Sequence, residues 1–226
     1  MPLQLTFVRH AQSVNNALWS SGAAPVVRVD DPELTPLGQQ QARLLAEHLA
    51  RSEARFTRLF TSLMLRAAQT GHIIAEQLDM PLTGWVDLHE VGGMYVQDAE
   101  SGAFLPRSGQ SRAELAKRFP RLVLPEQVTE AGWWNKPFEE NAERWARAQR
   151  VWQALRAHCD AEEHWLLVSH SGFLNLLLRA MLEVPPSSTT WFRLENASLT
   201  HVVVACDYAE IRCVNDVSFL PSALRT

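Results

Sequence analysis

Hydrophobic residues along this chain form short strand-like runs that alternate with segments of helical spacing. The clearest strand-like runs are Leu3 to Val8, Thr57 to Thr61 and Trp165 to Ser169. Apolar residues recurring roughly on one helical face predict a helix over Pro36 to Arg51, and two further helices are predicted over Leu63 to Leu78 and Gly172 to Leu182. Strands that alternate with helices indicate βαβ units and a largely parallel sheet.

Four further segments complete the predicted elements. Apolar spacing from Trp145 to Cys159 predicts a helix that packs on the sheet, and Pro81 to Leu88 is a weaker strand candidate. Two β-rich runs, Ser198 to Cys206 and Glu210 to Val214, end the chain. Thr35 followed by Pro36 has the form of a helix N-cap with proline at the first helical position.

Between Val91 and Phe138 glycines and prolines interrupt this alternation. We therefore predict one domain over residues 1–226, with an insertion at about 91–138 that forms a lid. Ser111 to Glu114 has capping-box form and predicts a short helix within the insertion. The aromatic residues of the insertion either line a substrate pocket or anchor the insertion to the rest of the domain, and we favour anchoring. These residues are Tyr95, Phe104, Phe119, Trp133 and Trp134.

Composition excludes several classes of protein. A length of 226 residues with 46% hydrophobic content suits a large globular core. The first residues lack the pattern of a signal peptide, and no apolar run is long enough to span a membrane, so we expect a cytoplasmic protein without a membrane partner. A net charge of −4 argues against nucleic-acid binding. Cys159, Cys206 and Cys213 lack metal-ligand spacing, and we expect reduced core residues.

Two histidines carry the candidate chemistry. His10 follows the first strand and stands beside Arg9, while His170 follows the strand that ends at Ser169. Ligands of α/β sheets bind outside the carboxyl ends of the strands, where helix N-termini offer free N–H groups to anions. A histidine flanked by an arginine is poorly suited to a metal cation. It is well suited to attack a phosphate.

Five ordered blocks of the chain resemble the histidine phosphatase superfamily, the phosphoglycerate mutase-like family that includes cofactor-dependent phosphoglycerate mutases and fructose-2,6-bisphosphatases. The blocks are Arg9-His10-Ala11-Gln12-Ser13-Val14-Asn15-Asn16, Leu34-Thr35-Pro36-Leu37-Gly38, Ser62-Leu63-Met64-Leu65-Arg66-Ala67-Ala68-Gln69-Thr70, Leu88-His89-Glu90 and Val168-Ser169-His170-Ser171-Gly172. The resemblance covers nearly the whole chain. It implies a three-layer α/β/α sandwich with a mostly parallel sheet.

The resemblance also implies a role for each matching residue. His10 attacks the phosphorus atom and becomes phosphohistidine, and Glu90 protonates the leaving group. The residues around the phosphate are Arg9, Asn16, Arg66, His170 and Ser171. These roles are chemically sensible, since arginines present forked donors to phosphoryl oxygens and a neutral imidazole is not repelled by a dianion. The resemblance requires no metal and no organic cofactor.

Two departures from the family pattern affect the choice of activity. Ala11-Gln12 stands where many members have glycine and glutamate, and Val91 to Tyr95 lacks the arginine-rich stretch with which mutases hold a bisphosphorylated sugar acid. We therefore predict a phosphomonoesterase acting on a phosphorylated small molecule, with a phosphoprotein also open. The alternatives are a phosphoglycerate-type mutase and a non-catalytic phospho-ligand-binding protein. A metal-dependent hydrolase using His10, His89, Glu90 and His170 is disfavoured by Arg9 and Arg66. The sequence leaves the physiological substrate and oligomeric state open.

Overall fold

A computed structural model describes residues 2–22 and 29–226. The strands are β1 (Leu3–Arg9), β2 (Arg58–Thr61), β3 (Leu82–Gly84), β4 (Tyr95–Gln97), β5 (Phe104–Pro106), β6 (Leu122–Val123), β7 (His164–Ser169), β8 (Leu199–Val204) and β9 (Ala209–Asp216). The helices are α1 (Val14–Ser20), α2 (Pro36–Arg51), α3 (Leu65–Gln77), α4 (Arg112–Arg118), α5 (Asn141–Arg156) and α6 (Ser171–Met181). Short 3₁₀ turns cover Val86–Leu88 and Ser222–Leu224.

Seven strands form one sheet in the order β6-β3-β2-β7-β1-β8-β9. The pairs from β6 to β1 are parallel, whereas β8 runs antiparallel to β1 and β9 antiparallel to β8. The predicted α/β class with a mostly parallel sheet is therefore confirmed. β4 and β5 form a separate antiparallel hairpin within the insertion.

The sheet buries both of its faces, which makes the architecture three-layered. Along β1, Leu5 and Phe7 face a core shared with α5 and α6, whereas Val8 faces a second core shared with α2 and α3. Alternating side chains of a strand point to opposite faces, so a strand covered on both sides reads as a continuous hydrophobic run. This explains why the buried strands were visible in the sequence.

Most predicted elements are present, with differences at their ends. α2 has the predicted bounds, and the Thr35 side chain accepts a hydrogen bond from the Gly38 N–H as an N-cap. The predicted strand over Pro81 to Leu88 is shorter, because β3 ends at Gly84 and a 3₁₀ turn follows.

The insertion contains β4, β5, α4 and β6, and β6 extends the main sheet beside β3. α4 begins with the predicted Ser111 capping box. Phe119, Trp133 and Trp134 are buried in the core next to α2 and α3, as expected of anchoring residues. Tyr95 and Phe104 instead pack with Phe138 in a cluster of three rings that is partly exposed to solvent.

The expectation of three reduced cysteines was wrong. Cys159, just beyond α5, and Cys206, just beyond β8, form a disulfide with a Cα–Cα distance of 5.1 Å, and Cys213 is free. The two residues meet because the Leu3 N–H at the start of β1 donates to the Cys159 carbonyl, while Leu3 pairs with Val204 at the end of β8. Sequence spacing carries no sign of this contact between distant segments.

Across the part of the chain that the structure describes, no helix is long and apolar enough to cross a membrane.

Candidate active site

Strand register brings the two histidines together. β1 and β7 are parallel neighbours in which Arg9 is paired with Ser169, so the next residues, His10 and His170, leave the sheet side by side. Their ring centroids are 5.0 Å apart. Ser62 follows β2 on the other side of β7, and its N–H donates to the Val168 carbonyl. The candidate site therefore lies at the carboxyl edge of the parallel strands, as expected for this class of fold.

The two ring nitrogens of His10 have different partners. Nδ1 lies 2.7 Å from the Ala11 carbonyl oxygen, which can only accept, so we assign the ring proton to Nδ1. Nε2 accepts a hydrogen bond of 3.2 Å from Nε of Arg66. His10 is only 3% exposed. The neutral ring therefore keeps the lone pair of Nε2 on the side where Arg66 offers its donors.

Burial and positive charge keep both histidines neutral. Burial is the main reason that the pKa of His10 lies well below its ordinary value, and Arg66 and Arg9 lower it further. The pKa of His170 is lowered well below its ordinary value by burial first and then by Arg66 and His10. An unprotonated imidazole is thus available at neutral pH for attack on an electrophile.

His170 is oriented by Ser62, a residue to which sequence reasoning assigned no role. Nε2 of His170 lies 2.8 Å from Oγ of Ser62, and this hydroxyl also accepts from the Met64 N–H. We therefore assign the hydroxyl as donor to Nε2, which places the ring proton on Nδ1. That nitrogen is buried and has no hydrogen-bond partner among the described residues. It could donate to an anion bound between the two rings.

Arg9 and Arg66 supply the positive charge of the site. Arg66 is 8% exposed and lies in the first turn of α3. Arg9 donates through Nη1 to the Leu194 carbonyl. Its pKa is lowered to about 10, mainly by burial, with Arg66 adding to the effect and the carboxylates of Glu90 and Glu195 opposing it. Two partly desolvated guanidinium groups beside an imidazole strongly attract a phosphate dianion.

Asn16 and Ser171, the remaining predicted binding residues, lie at helix starts. The Asn16 side-chain oxygen accepts from the N–H and the hydroxyl of Ser13 and from Nδ2 of Asn196. Asn196 also donates to the His10 carbonyl, which connects Asn16 to the backbone of His10. Ser171 is the first residue of α6 and is partly buried. Asn196 carried no sequence signal, because its contacts join residues far apart in the chain.

Glu90 reaches the site at the N-terminus of α6. It follows the 3₁₀ turn rather than a strand, and its carboxylate accepts from the N–H groups of Val91, Gly172 and Phe173 at 2.8, 3.1 and 2.9 Å. Two of these donors belong to the first turn of α6, where the N–H groups lack helical partners. A Cβ atom at Gly172 would lie only 2.5 Å from Glu90 Oε1, so the approach of the carboxylate requires glycine there.

The departure at Ala11-Gln12 is accommodated within the loop after β1. The Ala11 N–H donates to the Thr70 hydroxyl, and the Gln12 side-chain oxygen accepts from the hydroxyl of Thr35 at 2.7 Å. The Gln12 carbonyl would lie 2.0 Å from a Cβ atom at Gly38, which explains the glycine in the second sequence block. A neutral glutamine therefore has a structural partner at this position. The methyl group of Ala11 is fully buried.

Asp31 is a charged neighbour of the site that the sequence did not single out. Its Oδ1 accepts from the Leu65 N–H at the start of α3, whereas Oδ2 is buried without a partner in the described part of the chain. Burial raises the pKa of Asp31 to about 6, an effect that the positive charge of Arg66 partly offsets. Asp31 therefore changes its charge close to Arg66 at mildly acidic pH.

The hypothesis of a metal site finds no supporting cluster. Within residues 2–22 and 29–226, no three histidine, cysteine or acidic side chains are grouped so that they could hold a metal ion. His89 is buried against Trp134, and its Nδ1 lies 2.8 Å from the Glu90 carbonyl. His89 thus contacts the backbone of the Glu90 segment, and its ring does not join His10 and His170 in a ligand set.

Comparison with known proteins identifies the family. The model of the histidine phosphatase superfamily (branch 1) matches residues 5–217. The chain therefore belongs to the histidine phosphatase superfamily.

Three curated relatives illustrate the range of that family. The chain is 29% identical over 211 residues to a Yersinia enterocolitica protein named probable phosphoglycerate mutase GpmB, covering 92% of this chain and 86% of the relative. It is 27% identical over 221 residues to the adenosylcobalamin/alpha-ribazole phosphatase of Salmonella typhimurium, covering 94% and 96%. It is 26% identical over 189 residues to the mitochondrial serine/threonine-protein phosphatase Pgam5 of Caenorhabditis elegans, covering 83% of this chain but only 58% of that relative.

Solved structures share the fold. A phosphoserine phosphatase from Entamoeba histolytica, crystallised in complex with phosphoserine, superposes with a TM-score of 0.65 at 18% identity, covering 97% of this chain and all of that chain. The alpha-ribazole phosphatase of Shigella flexneri gives a TM-score of 0.63 at 17% identity, covering 94% and 96%. These similarities confirm the histidine phosphatase fold.

Proposed function

We propose that the protein is a phosphomonoesterase that works through a covalent phosphohistidine on Nε2 of His10. The observation that carries this proposal is the contact of 3.2 Å between the unprotonated Nε2 and Arg66, within a buried site that also holds Arg9 and His170. The relatives named as phosphatases support the same activity. We expect a phosphorylated small molecule as substrate, and phosphoproteins remain to be tested.

The reaction has two steps. In the first, Nε2 forms a bond to phosphorus, the bond from phosphorus to the ester oxygen breaks, and Glu90 gives the leaving oxygen its proton. The guanidinium groups of Arg9 and Arg66 and the donors of His170, Asn16 and Ser171 bind the phosphoryl oxygens, so positioning and electrostatics carry most of the catalysis. In the second, Glu90 takes a proton from water, which attacks phosphorus and releases inorganic phosphate from His10.

Proton transfer requires that Glu90 gain a proton before the first step. In the structure its carboxylate accepts hydrogen bonds from three N–H groups. Binding of a phosphate dianion beside it and exclusion of water both favour the neutral acid.

The nucleophile can be tested directly. Substitution His10→Ala should abolish turnover, and rapid quenching of the parent protein with ³²P-labelled substrate should trap acid-labile phosphate on His10. The variant should trap none. Hydrolysis by His10→Ala near the parental rate would refute the covalent mechanism. Retention of parental activity in EDTA is expected as well, since two arginines supply the positive charge that a metal would otherwise provide.

The acid is tested by comparing leaving groups. Glu90→Gln removes the titratable proton and nearly keeps the shape, so the burst of alcohol released from an alkyl phosphate should slow by roughly 10²–10⁴-fold. An aryl phosphate such as p-nitrophenyl phosphate needs less protonation and should slow much less. Equal losses on both substrates would assign Glu90 to positioning and move the acid to another residue.

A mutase is the second candidate, because the Yersinia relative is named as a probable phosphoglycerate mutase. In a mutase the phosphohistidine would pass its phosphate to a second substrate instead of water. Labelled phosphoenzyme should therefore be mixed with buffer alone and with sugar-phosphate acceptors. We expect inorganic phosphate as the main product in both cases, and preferential transfer to the acceptor would favour the mutase.

A further inference from the structure

A buried ion pair lies directly behind the Glu90 segment. Nε of Arg147 donates to Oε1 of Glu139 at 2.6 Å, and Nη2 donates to Oε2 at 2.7 Å. The two residues are 1% and 6% exposed. Replacing a buried pair of this kind by hydrophobic residues is often neutral or stabilising, so its presence is weak evidence of a contribution to stability. The role of the pair is better indicated by the groups that it orients.

The remaining side-chain hydrogen bonds of the pair go to the backbone on both sides of Glu90. Nη1 of Arg147 donates to the carbonyls of Asp87 and His89, at 2.7 and 2.9 Å. The Glu139 carboxylate accepts from the Gly92 N–H at 3.3 Å, and the Glu139 N–H donates to the Gly92 carbonyl. One ion pair thus fixes the chain before and after Glu90.

The same arginine also contacts the helix that holds the Glu90 carboxylate. The Arg147 guanidinium lies 4.1 Å from the ring centroid of Phe173. The Phe173 N–H is one of the three donors to the carboxylate, and the Gly172 N–H beside it is another. Arg147 therefore contacts both the backbone beside Glu90 and the first turn of α6, the two parts of the chain between which the carboxyl group lies.

We propose that Arg147 and Glu139 are positioning residues that hold Glu90 where it protonates the leaving group. This inference rests on the proposed function, since it concerns the acid of that reaction. Neither residue belongs to the blocks by which the sequence resembles its family. Because a displacement on the order of 1 Å can lower a rate about 100-fold, loss of the pair should slow protonation in any variant that still folds.

The test uses Arg147→Lys and Glu139→Gln. Lysine keeps the charge but cannot make the four hydrogen bonds of the guanidinium group. Glutamine keeps the shape of Glu139 but removes its negative charge, which leaves the Arg147 charge without a counter-ion. The burst of alcohol from an alkyl phosphate should fall by roughly 10–100-fold in each variant. The burst from p-nitrophenyl phosphate should fall much less, as in Glu90→Gln. Two variants are used so that a failure of one to fold leaves the other decisive.

Arg179→Lys is the matched control. Arg179 is a buried arginine of α6. It donates to the carbonyls of Pro185, Pro186 and Ser188, none of which belongs to the Glu90 segment. Its substitution should lower stability without changing the ratio of alkyl to aryl burst rates.

The outcomes separate the two proposals. Equal alkyl and aryl losses, or no loss, in whichever of Arg147→Lys and Glu139→Gln folds, with a selective alkyl loss in Glu90→Gln, would overturn the positioning role and leave the acid assignment intact. Absence of a selective loss in Glu90→Gln itself would overturn the acid assignment and the positioning role together.

Discussion

Arg66 has two roles, and substitutions at this residue test both of them. In the proposed mechanism its guanidinium binds phosphoryl oxygens, and in the structure its charge lowers the pKa of the imidazole. We expect Arg66→Ala to slow the burst on the order of 10²–10³-fold, as for loss of a donor to developing charge. Arg66→Lys should restore only part of this, because a point charge cannot replace a forked donor.

The pH profile gives the second readout. Removal of the Arg66 charge should raise the pKa of His10 toward its ordinary value, so the acidic limb of kcat/KM should move to higher pH. Arg51→Ala is a suitable control, because Arg51 is exposed and pairs with Glu47 on α2. Parental rates and an unshifted limb in both Arg66 variants would remove Arg66 from the site.

Sequence reasoning found residues that lie within recognisable blocks and missed those that act across the fold. His10, Arg66 and His170 are each part of a local pattern at a strand end, and the structure brings them together. Asn196 is defined by contacts between residues far apart in sequence, and so are the bonds of Arg147 and Glu139 to the backbone around Glu90. No spacing rule predicts such contacts, since they depend on strand order and on the packing of α5 against α6.

At the scale of elements, prediction succeeded where local chemistry sets the boundary. α2 begins at Pro36 because Thr35 caps it, and both residues are readable in the sequence. The 3₁₀ turn before Glu90 and the strand β6 depend instead on neighbours, since β6 exists by pairing with β3. Closure of the insertion over the site as a lid remains a prediction.

The disulfide connects two elements at the end of the sheet opposite to His10. Cys159 and Cys206 are 47 residues apart in sequence, and a cross-link of this length stabilises the folded state by roughly 2–4 kcal/mol. We expect Cys159→Ser to lower the free energy of unfolding by about this amount, with unchanged burst kinetics. Cys213→Ser, at the free cysteine, is the matched control and should have little effect.

Thiol titration of the denatured, unreduced protein provides an independent check. One reactive thiol is expected if Cys159 and Cys206 are bonded, and three would contradict the bond. In that case Cys159→Ser and Cys213→Ser should have similar small effects on stability.

At the scale of the whole molecule, the buried histidines determine how stability depends on pH. The pKa values of His10, His89 and His170 are well below normal, chiefly through burial, and that of His164 is lowered to about 4. In the unfolded chain these groups titrate near their ordinary pKa of about 6.5. Below that pH the unfolded state binds protons that the folded state does not bind. The free energy of unfolding should therefore fall as the pH falls.

Asp31 acts in the opposite direction. Its pKa is raised from 3.8 to about 6, so between these values the folded state keeps a proton that the unfolded state releases, and stability rises as the pH falls. One carboxyl group opposes several histidines, and each fully buried histidine contributes about 1.4 kcal/mol per pH unit. Urea unfolding should therefore give a lower free energy at about pH 5 than at pH 7. Asp31→Asn removes the opposing group and should make the decline steeper, whereas a constant or rising stability in the parent would show that the histidines are protonated in the folded protein.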